Sequence, residues 1–213
     1  MLFDFEALPA RERYKLLVST IVPRPIAWVV TQDGAGVVNA APYSFFNAFS
    51  DDPAVVAIGC GPRPEGGAKD TLGNIKATGQ FVVCLVPGSA LEQMNLTAID
   101  FAPGVDELNE AGLHKLASTR VKPPRIAESP VAFECETFQM VPVGHHTIVM
   151  GKVLALHVKD EAVLDAEKNY IDTPALDLVG RMHGRGWYTR TNDRVDVPRY
   201  TAAEWAALKA AKG

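Results

Sequence analysis

The first 60 residues contain a strand–turn–strand pattern that limits the fold more than any other feature of the chain. Residues 26–31 and 37–41 are apolar segments, and Asp33-Gly34 lies between them. An Asp-Gly pair supplies the positive φ angle of a tight hairpin, so the sequence predicts two antiparallel strands. Residues 54–60 form a third apolar run, which is typical of a strand buried on both faces.

Further strands are predicted at residues 80–86, 131–136 and 145–158. The last of these is rich in β-branched and aliphatic residues at both odd and even positions. A strand that is apolar on both faces must be covered twice, by a barrel interior and by either a helix or a second subunit. We therefore expect a single antiparallel barrel that forms a homodimer.

Helices are predicted at residues 10–18, at residues 70–78 with Asp70 as the N-cap, and after Thr201, where Glu204 completes a capping box. Residues 88–118 alternate helix-like and turn-like pieces without a clear strand, so we expect them to lie over the sheet as an insertion. The predicted fold class is mainly β, with helical insertions and a C-terminal helix.

Composition excludes several classes of protein. The 213 residues carry a net charge of −4, from 21 basic and 25 acidic side chains, which argues against sequence-independent binding of nucleic acid. Apolar runs stay shorter than the roughly 20 residues of a membrane span. The N-terminal residues do not resemble a secretory signal. We therefore expect a cytoplasmic protein of one domain, covering residues 1–213.

The three cysteines do not form a recognisable motif. Cys60, Cys84 and Cys135 are far apart and lack CxxC spacing, so neither a disulfide framework nor a zinc site is predicted. They are most simply buried apolar side chains. Cys60, beside a loop rich in glycine and proline, is the one candidate for reactivity.

A possible anion site lies at the start of the second predicted helix. Lys69-Asp70-Thr71 follows the glycine-rich loop of residues 61–67, which places unpaired backbone N–H groups, a hydroxyl and an ammonium close together. The pattern is neither a Walker P-loop nor a Rossmann fingerprint. The alternative is a simple helix cap with a solvated Lys69.

Polar side chains within apolar segments indicate a second element of a site. Asn39, Ser44 and Asn47 interrupt hydrophobic runs, and buried polar groups need partners. Together with Phe45 and Phe46, these side chains suit a planar heteroaromatic ligand with a hydrogen-bonding rim. The alternative is that the aromatic residues belong to the core and that the polar residues satisfy local turns.

Several ordered motifs resemble the flavin-reductase-like family, whose members, including flavoredoxin, have an FMN-binding split barrel. The similar segments are residues 23–29, 39–47, 69–75, 81–83, 94–97, 111–113, 123–130 and 180–184. This resemblance implies a six-stranded Greek-key barrel that works as a dimer, with FMN at the subunit interface. The implied core covers about residues 20–190, and residues 191–213 form a C-terminal extension.

The resemblance also assigns roles to individual residues. Residues 44–47 would line the isoalloxazine ring, with Ser44 at its pyrimidine edge, and Lys69, Asp70 and Thr71 would hold the phosphate and ribityl end. His146 would lie near the nicotinamide, although a histidine at a strand start is more often structural or solvated. The other residues implied to surround the cofactor are Arg24, Trp28, Asn39, Phe45, Phe46, Asn47 and Arg181. Metal ligands are not predicted, because His145 and His146 would point to opposite faces of a strand.

The resemblance implies an NAD(P)H-dependent flavin oxidoreductase. Hydride would pass from NAD(P)H to FMN, and electrons would go on to free flavin, a monooxygenase partner or another acceptor. Three alternatives stay open: an electron-transfer flavoprotein that does not react with NAD(P)H, a flavin-binding module without turnover, and a barrel that binds another phosphorylated ring such as pyridoxal phosphate.

Overall fold

A computed structural model describes residues 1–63, 66–67, 69–102 and 104–211. Its main feature is a seven-stranded sheet with the order β2-β1-β5-β8-β9-β4-β3, in which each neighbouring pair is antiparallel. The strands of this sheet are β1 (Ala27–Gln32), β2 (Val38–Tyr43), β3 (Phe46–Asp51), β4 (Ala54–Cys60), β5 (Gln80–Leu85), β8 (Val131–Val143) and β9 (His146–Val158).

Smaller elements complete the described chain. The α-helices are α1 (Ala10–Thr20), α2 (Asp70–Thr78), α3 (Leu91–Leu96), α4 (Glu107–Glu110) and α5 (Ala202–Ala210). Three two-stranded ladders pair β6 (Lys115–Leu116) with β7 (Arg125–Ile126), β10 (Val163–Asp165) with β11 (Tyr170–Ile171), and β12 (Val179–Arg181) with β13 (Tyr188–Arg190). Short 3-10 turns cover Gly88–Ala90, Asp160–Ala162 and Thr173–Leu176.

The two edge strands of the main sheet are consecutive in the chain, since only Ser44 and Phe45 separate the end of β2 from the start of β3. This short connection holds the two edges of the barrel near each other, and the N–H of Gly59, which donates to the carbonyl of Phe45 at 2.7 Å, extends the β3–β4 ladder to residue 45. The barrel has seven strands rather than the expected six. The additional strand is β3, whose largely exposed residues do not produce an apolar run that sequence patterns can detect.

The predicted hairpin is present, but its turn differs from the prediction. β1 and β2 pair from Ala27 with Tyr43 to Gln32 with Val38, so residues 33–37 form a five-residue connection. The side chain of Asp33 accepts hydrogen bonds from the N–H groups of Ala35 and Val37. The positive φ angle falls on Gly36, at 92°, and not on Asp33-Gly34 as predicted, because a longer loop needs its left-handed residue near the second strand.

Both faces of the central strands are buried, against two different partners. In β1, Ala27 and Val29 face the barrel interior, where they share one apolar cluster with Phe81. Trp28 and Val30 belong to a second cluster, which includes Met94 and Leu108 of the 88–118 insertion. A Cβ atom at Gly151 would lie 2.3 Å from Cζ of Phe81, so a glycine is required where this ring fills the barrel. The alternation of β1 thus explains its continuous apolar sequence.

Helix α2 begins at Asp70, as predicted, but its N-cap residue is Lys69 and Asp70 lies inside the helix. Gly79 ends α2 with a φ of 71°, as predicted. The predicted capping box of Thr201 and Glu204 is confirmed at α5. The insertion does contain one very short strand, β6, which pairs with β7.

Glu134 in β8 holds the loop that follows the insertion. Its side chain is fully buried and accepts hydrogen bonds from the N–H groups of Thr119, Arg120 and Val121. His157 of β9 contacts the same carboxylate at 2.5 Å. Burial alone would raise the pKa of Glu134, but these hydrogen bonds together lower it to about 2. The carboxylate therefore stays charged and fixes residues 119–121 against the barrel.

Within the described residues, helices long and apolar enough to cross a membrane are absent.

Candidate functional site

The predicted anion site lies where the first turn of α2 meets β2 and residues 97–101. Asn39, Lys69, Asp70 and Thr71 all line one small cleft there, of about 70 Å³. Because α2 begins at this cleft, the positive end of its dipole and the N–H groups of its first turn lie at the same place. Residues 64, 65 and 68 of the predicted phosphate loop lie outside the described residues, and Arg63 adds a second cation.

Carboxylates partner the two cations of this cleft. Arg63 donates to Asp70 at 2.6 Å, and Lys69 lies 3.8 Å from Asp100. The second pair is long, and the Lys69 side chain remains about one-third exposed, at 34%. An incoming anion can therefore attract Lys69 without first breaking a short ion pair.

Asn39 is held by a buried network. Its Oδ1 accepts from the hydroxyl of Thr71 at 2.9 Å, and its Nδ2 donates to Glu107 at 2.7 Å. The other oxygen of Glu107 accepts from the N–H of Ala40 at 3.0 Å. Burial raises the pKa of Glu107, against the effect of these hydrogen bonds. Asn39 thus satisfies the need for partners that its sequence position implied, and it positions the hydroxyl of Thr71.

One polar group near this network lacks a partner. The hydroxyl of Tyr43 is buried and makes no hydrogen bond within the described part of the chain. Burial raises its pKa, and Cys60, Thr71 and Asp70 are among its neighbours. A buried donor without an acceptor is costly, so an oxygen atom of a bound ligand would fit this position.

The residues predicted to surround a ring lie at the other end of β2. A cleft of about 310 Å³ separates the C-terminal end of α1 from residues 44–47, and Arg24 lines it. Arg24 is buried, and its Nε donates to the hydroxyl of Ser44 at 3.3 Å. Its other nitrogens donate to the carbonyls of Val18, Ile21 and Met182. Burial lowers the pKa of Arg24, and the nearby Arg181 lowers it further.

Arg181 is a second cation in the neighbourhood of Ser44. It lines a neighbouring cleft of about 200 Å³ together with Ser44 and Tyr43. Its guanidinium donates to the carbonyls of Trp187 and Gly184 and lies 4.6 Å from the ring centre of Tyr188. Arg24 thus binds the hydroxyl of Ser44 and Arg181 lines a cleft with the same residue, as expected for a site that binds an electron-rich edge of a ring.

His146 lies beside the aromatic residues, as the sequence suggested. Its ring stacks on Phe45 with 6.1 Å between centroids and 22° between planes. His146, Phe45, Phe46 and Asn47 line a larger groove of about 520 Å³ between α1 and the barrel. Phe45 and Asn47 are exposed, so these side chains are available to a ligand rather than being core residues.

Trp28 differs from the other predicted residues. Its side chain is fully buried, and its indole N–H donates to the hydroxyl of Thr97 at 2.9 Å. Direct contact with a ligand would need exposed surface that Trp28 does not have. Since Thr97 lines the anion cleft, Trp28 supports the cleft wall from behind.

The expected reactivity of Cys60 is not supported. Cys60 is buried, and burial raises its pKa to about 12. Its thiol therefore stays protonated at neutral pH and is a poor nucleophile.

Sequence reasoning missed Arg63, Asp100 and Glu107 as members of the site. Arg63 lies in the glycine-rich loop that precedes the predicted anion site, so a second cation could have been sought there. Glu107 and Asp100 come from an insertion without periodic pattern, and their proximity to Asn39 depends on the tertiary fold.

The site is therefore elongated. Asn39 and Ser44 are five residues apart on an extended strand and its exit, which corresponds to roughly 16 Å. A cleft at a helix N-terminus lies at one end, lined by two cations and by the carboxylates that partner them. Two neighbouring clefts lie at the other end, one with Arg24 and the aromatic residues and one with Arg181. This arrangement suits a ligand with a phosphate at one end and a planar ring at the other.

Comparisons with known proteins agree with this geometry. Residues 18–176 match the family described as "Flavin reductase like domain". An uncharacterized protein of Deinococcus radiodurans is 48% identical over 208 residues, covering 95% of this chain and 91% of that protein.

Two solved structures are also similar. Nitrilotriacetate monooxygenase component B from Bacillus cereus superposes with a TM-score of 0.86 at 27% identity, covering 92% of this chain and 98% of its own. The 2-nitrobenzoate 2-nitroreductase of Pseudomonas fluorescens gives a TM-score of 0.86 at 32% identity, covering 95% and 98%. The chain belongs to the flavin reductase-like domain family.

Proposed function

We propose that this chain is an FMN-binding oxidoreductase that accepts hydride from NAD(P)H and passes electrons to a further acceptor. The observation that carries the proposal is the elongated site, in which a cationic helix N-terminus and an aromatic, arginine-flanked cleft lie at opposite ends of β2. FMN has a phosphate, a ribityl chain and a planar tricyclic ring in the same order. When bound, it supplies the hydride-accepting chemistry.

The residues of the chain divide into two groups in this proposal. Lys69, Arg63 and the N-terminus of α2 hold the phosphate. Asn39, Asp70 and Thr71 surround the ribityl chain, and the unpartnered hydroxyl of Tyr43 adds a donor. The fit is supported by this orphaned hydroxyl and by the Lys69 ammonium, which is about one-third exposed and whose contact with Asp100 is long.

The ring end provides orientation and electrostatics. Phe45 and Phe46 offer apolar faces, and Ser44 and Asn47 offer hydrogen bonds along a polar edge. The buried Arg24 and the half-buried Arg181 favour negative charge at the edge that faces Ser44, because cations positioned in a site with little water act strongly. His146, next to Phe45, positions the nicotinamide in this proposal.

The proposal includes a homodimer and a downstream acceptor. Apolar side chains on the β8–β9 ribbon are exposed, among them Phe138 and Leu156, each at 54%, and such side chains favour burial against another subunit. The similarity to a monooxygenase component supports a partner enzyme as acceptor. The similarity to a nitroreductase supports a small aromatic acceptor as the second candidate.

Anaerobic mixing tests the reaction. The purified protein loaded with FMN is mixed with NADH and, separately, with NADPH, and the flavin absorbance near its visible maximum is followed. Bleaching with either nucleotide is expected. A flavin that is retained but bleached by neither would favour the electron-transfer alternative, and a protein that fails to retain FMN would refute the proposal as a whole.

A further inference from the structure

Helix α1 lies largely outside the part of the chain that matches the family. It spans Ala10–Thr20, whereas the family match begins at residue 18. Every residue of α1 is at least partly exposed, including the large apolar side chains of Tyr14 and Leu17, at 55% and 39%. Arg24 fixes the end of this helix by donating to the carbonyls of Val18 and Ile21, each at 2.7 Å. The helix is thus held in place although it contributes little to the core.

Its placement creates the groove of about 520 Å³. Arg13, Tyr14 and Leu17 of α1 form one wall, and Phe45, Phe49 and His146 of the barrel are on the other side. The volume lies within the range of small-molecule sites, about 300–1,000 Å³. The groove also shares Leu17 and residues 45–47 with the cleft proposed for the flavin ring, so an occupant would lie next to that ring.

The barrel wall of the groove depends on two glycines. A Cβ atom at Gly59 would lie 3.0 Å from Cβ of Phe45, and one at Gly61 would lie 3.0 Å from Nε2 of His146. Both distances are too short for an ordinary contact. The absence of side chains at these positions lets the near-parallel rings of Phe45 and His146, with centroids 6.1 Å apart, lie close to β4. These two rings give the groove an aromatic floor.

Among the described residues, Arg13 is the charged side chain that lines the groove, and Tyr14, Asn47 and His146 are the other polar ones. In the part of the chain that the structure describes, the guanidinium of Arg13 donates from Nη1 to the carbonyl of Phe5 at 3.0 Å, which leaves further N–H groups for a ligand. Within the described part of the chain, neither ring nitrogen of His146 has a hydrogen-bond partner, and the residues lining the groove include neither Asp nor Glu. An aromatic floor with a cation at its wall suits a flat ring that carries a negative charge.

We infer that α1 completes a binding site for a planar aromatic carboxylate, which serves as a second substrate beside the flavin ring. Phe45 and Tyr14 contact the ring of this substrate, and Arg13 binds its carboxylate. The nicotinamide proposed for His146 uses the same aromatic floor, so the two substrates bind in turn. The role as a second substrate rests on the proposed function, whereas binding in the groove does not. Most of α1 precedes the family match, so this wall lies outside the matched domain.

Calorimetric titration of the FMN-loaded protein with benzoate tests the inference. Benzamide has the same ring without the charge, and cyclohexanecarboxylate has the charge without a flat ring. We expect benzoate to bind about tenfold more tightly than either, since one charge-assisted hydrogen bond or one set of aromatic contacts corresponds to about that factor. Equal affinities for the three compounds, or lack of binding by benzoate, would overturn the inference.

Two variants locate the site. Arg13→Gln and Tyr14→Ala should each weaken benzoate binding by about tenfold, whereas Lys15→Ala, on the same turn and outside the groove, should leave it unchanged. Unaltered binding in both groove variants would overturn the assignment to α1. So would a change of subunit number in these variants with benzoate affinity preserved, because the groove would then be an interface between copies.

The same samples separate this inference from the proposed function. Retention of FMN and bleaching by NAD(P)H report on the flavin site. A protein that is bleached but does not bind benzoate retains its proposed function and loses the second-substrate site. A protein that binds benzoate but does not retain FMN keeps the groove and loses the proposed function.

Discussion

Asn39 shows what single residues in the sequence could and could not reveal. Its position within an apolar run indicated that it needs buried partners, and it has them in Thr71 and Glu107. The sequence could not nominate Glu107, which is 68 residues away and comes from an insertion without periodic pattern. Most predicted ring and phosphate residues do line clefts, since their motifs are local, whereas the burial of Trp28 depends on which face of β1 the insertion covers.

Among single residues of the anion cleft, Lys69 gives a direct test: Lys69→Ala is expected to weaken FMN binding. The ammonium is about one-third exposed and its contact with Asp100 is long, so the loss of one charge-assisted contact corresponds to about 1.5 kcal/mol, or roughly tenfold in Kd. Fluorescence titration of the apoprotein with FMN measures this change.

Lys76→Ala is the matched control, because Lys76 is an exposed lysine in the last turn of the same helix. Its FMN affinity should equal that of the unaltered protein. A Lys69→Ala protein with undiminished affinity would mean that the anion cleft does not bind the phosphate.

At the level of elements, strands buried on both faces were predicted well because their apolar runs are continuous. β4 and β5 follow the expected bounds closely. β3 was missed because its residues are mostly exposed, and the hairpin turn was placed on the wrong glycine because turn type depends on loop length. The sequence predicts a strand at residues 131–136, the first part of β8, but not the burial of Glu134 under residues 119–121, since that depends on a loop that packs from elsewhere.

The low pKa of Glu134 predicts that the free energy of unfolding depends on pH. Its pKa is about 2, compared with an ordinary value of 4.5. Because the folded-state pKa is depressed, its contribution is fully present above about pH 4.5 and is lost as the pH falls towards 2. The shift corresponds to about 3 kcal/mol. Urea unfolding at pH 7 and at pH 3 should therefore show lower stability at the acidic pH.

Glu134→Gln should remove about 3 kcal/mol at pH 7, because an amide places donors against the N–H groups of residues 119–121. The variant should also lose part of the acid sensitivity between pH 7 and pH 3. Glu136→Gln is the control, since Glu136 is on the same strand, about half exposed at 48%, and 3.4 Å from Lys152. Similar destabilisation by both substitutions would show that the buried hydrogen bonds of Glu134 do not stabilise the fold more than an exposed glutamate does.

For the whole molecule, the sequence predicted a barrel with more apolar surface than one chain can cover. The described chain agrees with this expectation in part. The insertion covers the outer face of β1 and β5, but the β8–β9 ribbon keeps exposed apolar side chains, and every described residue from 191 to 211 is exposed. Subunit contacts are a property of two chains, so one sequence can suggest that a surface needs a cover without showing which residues meet.

Phe138→Glu is expected to convert a homodimer into monomers. In a two-fold symmetric interface each substitution occurs twice, and the two new carboxylates add repulsion to the lost apolar contact. The dimer dissociation constant should rise by at least about 30-fold, which light scattering coupled to size-exclusion chromatography would detect. Leu164→Glu is the control, because Leu164 is more exposed, at 69%, and lies in β10, outside the ribbon.

If FMN is held between subunits, the Phe138→Glu monomer should also lose its flavin, whereas the Leu164→Glu control should keep it. A Phe138→Glu protein that remains dimeric and coloured would place the interface elsewhere on the barrel.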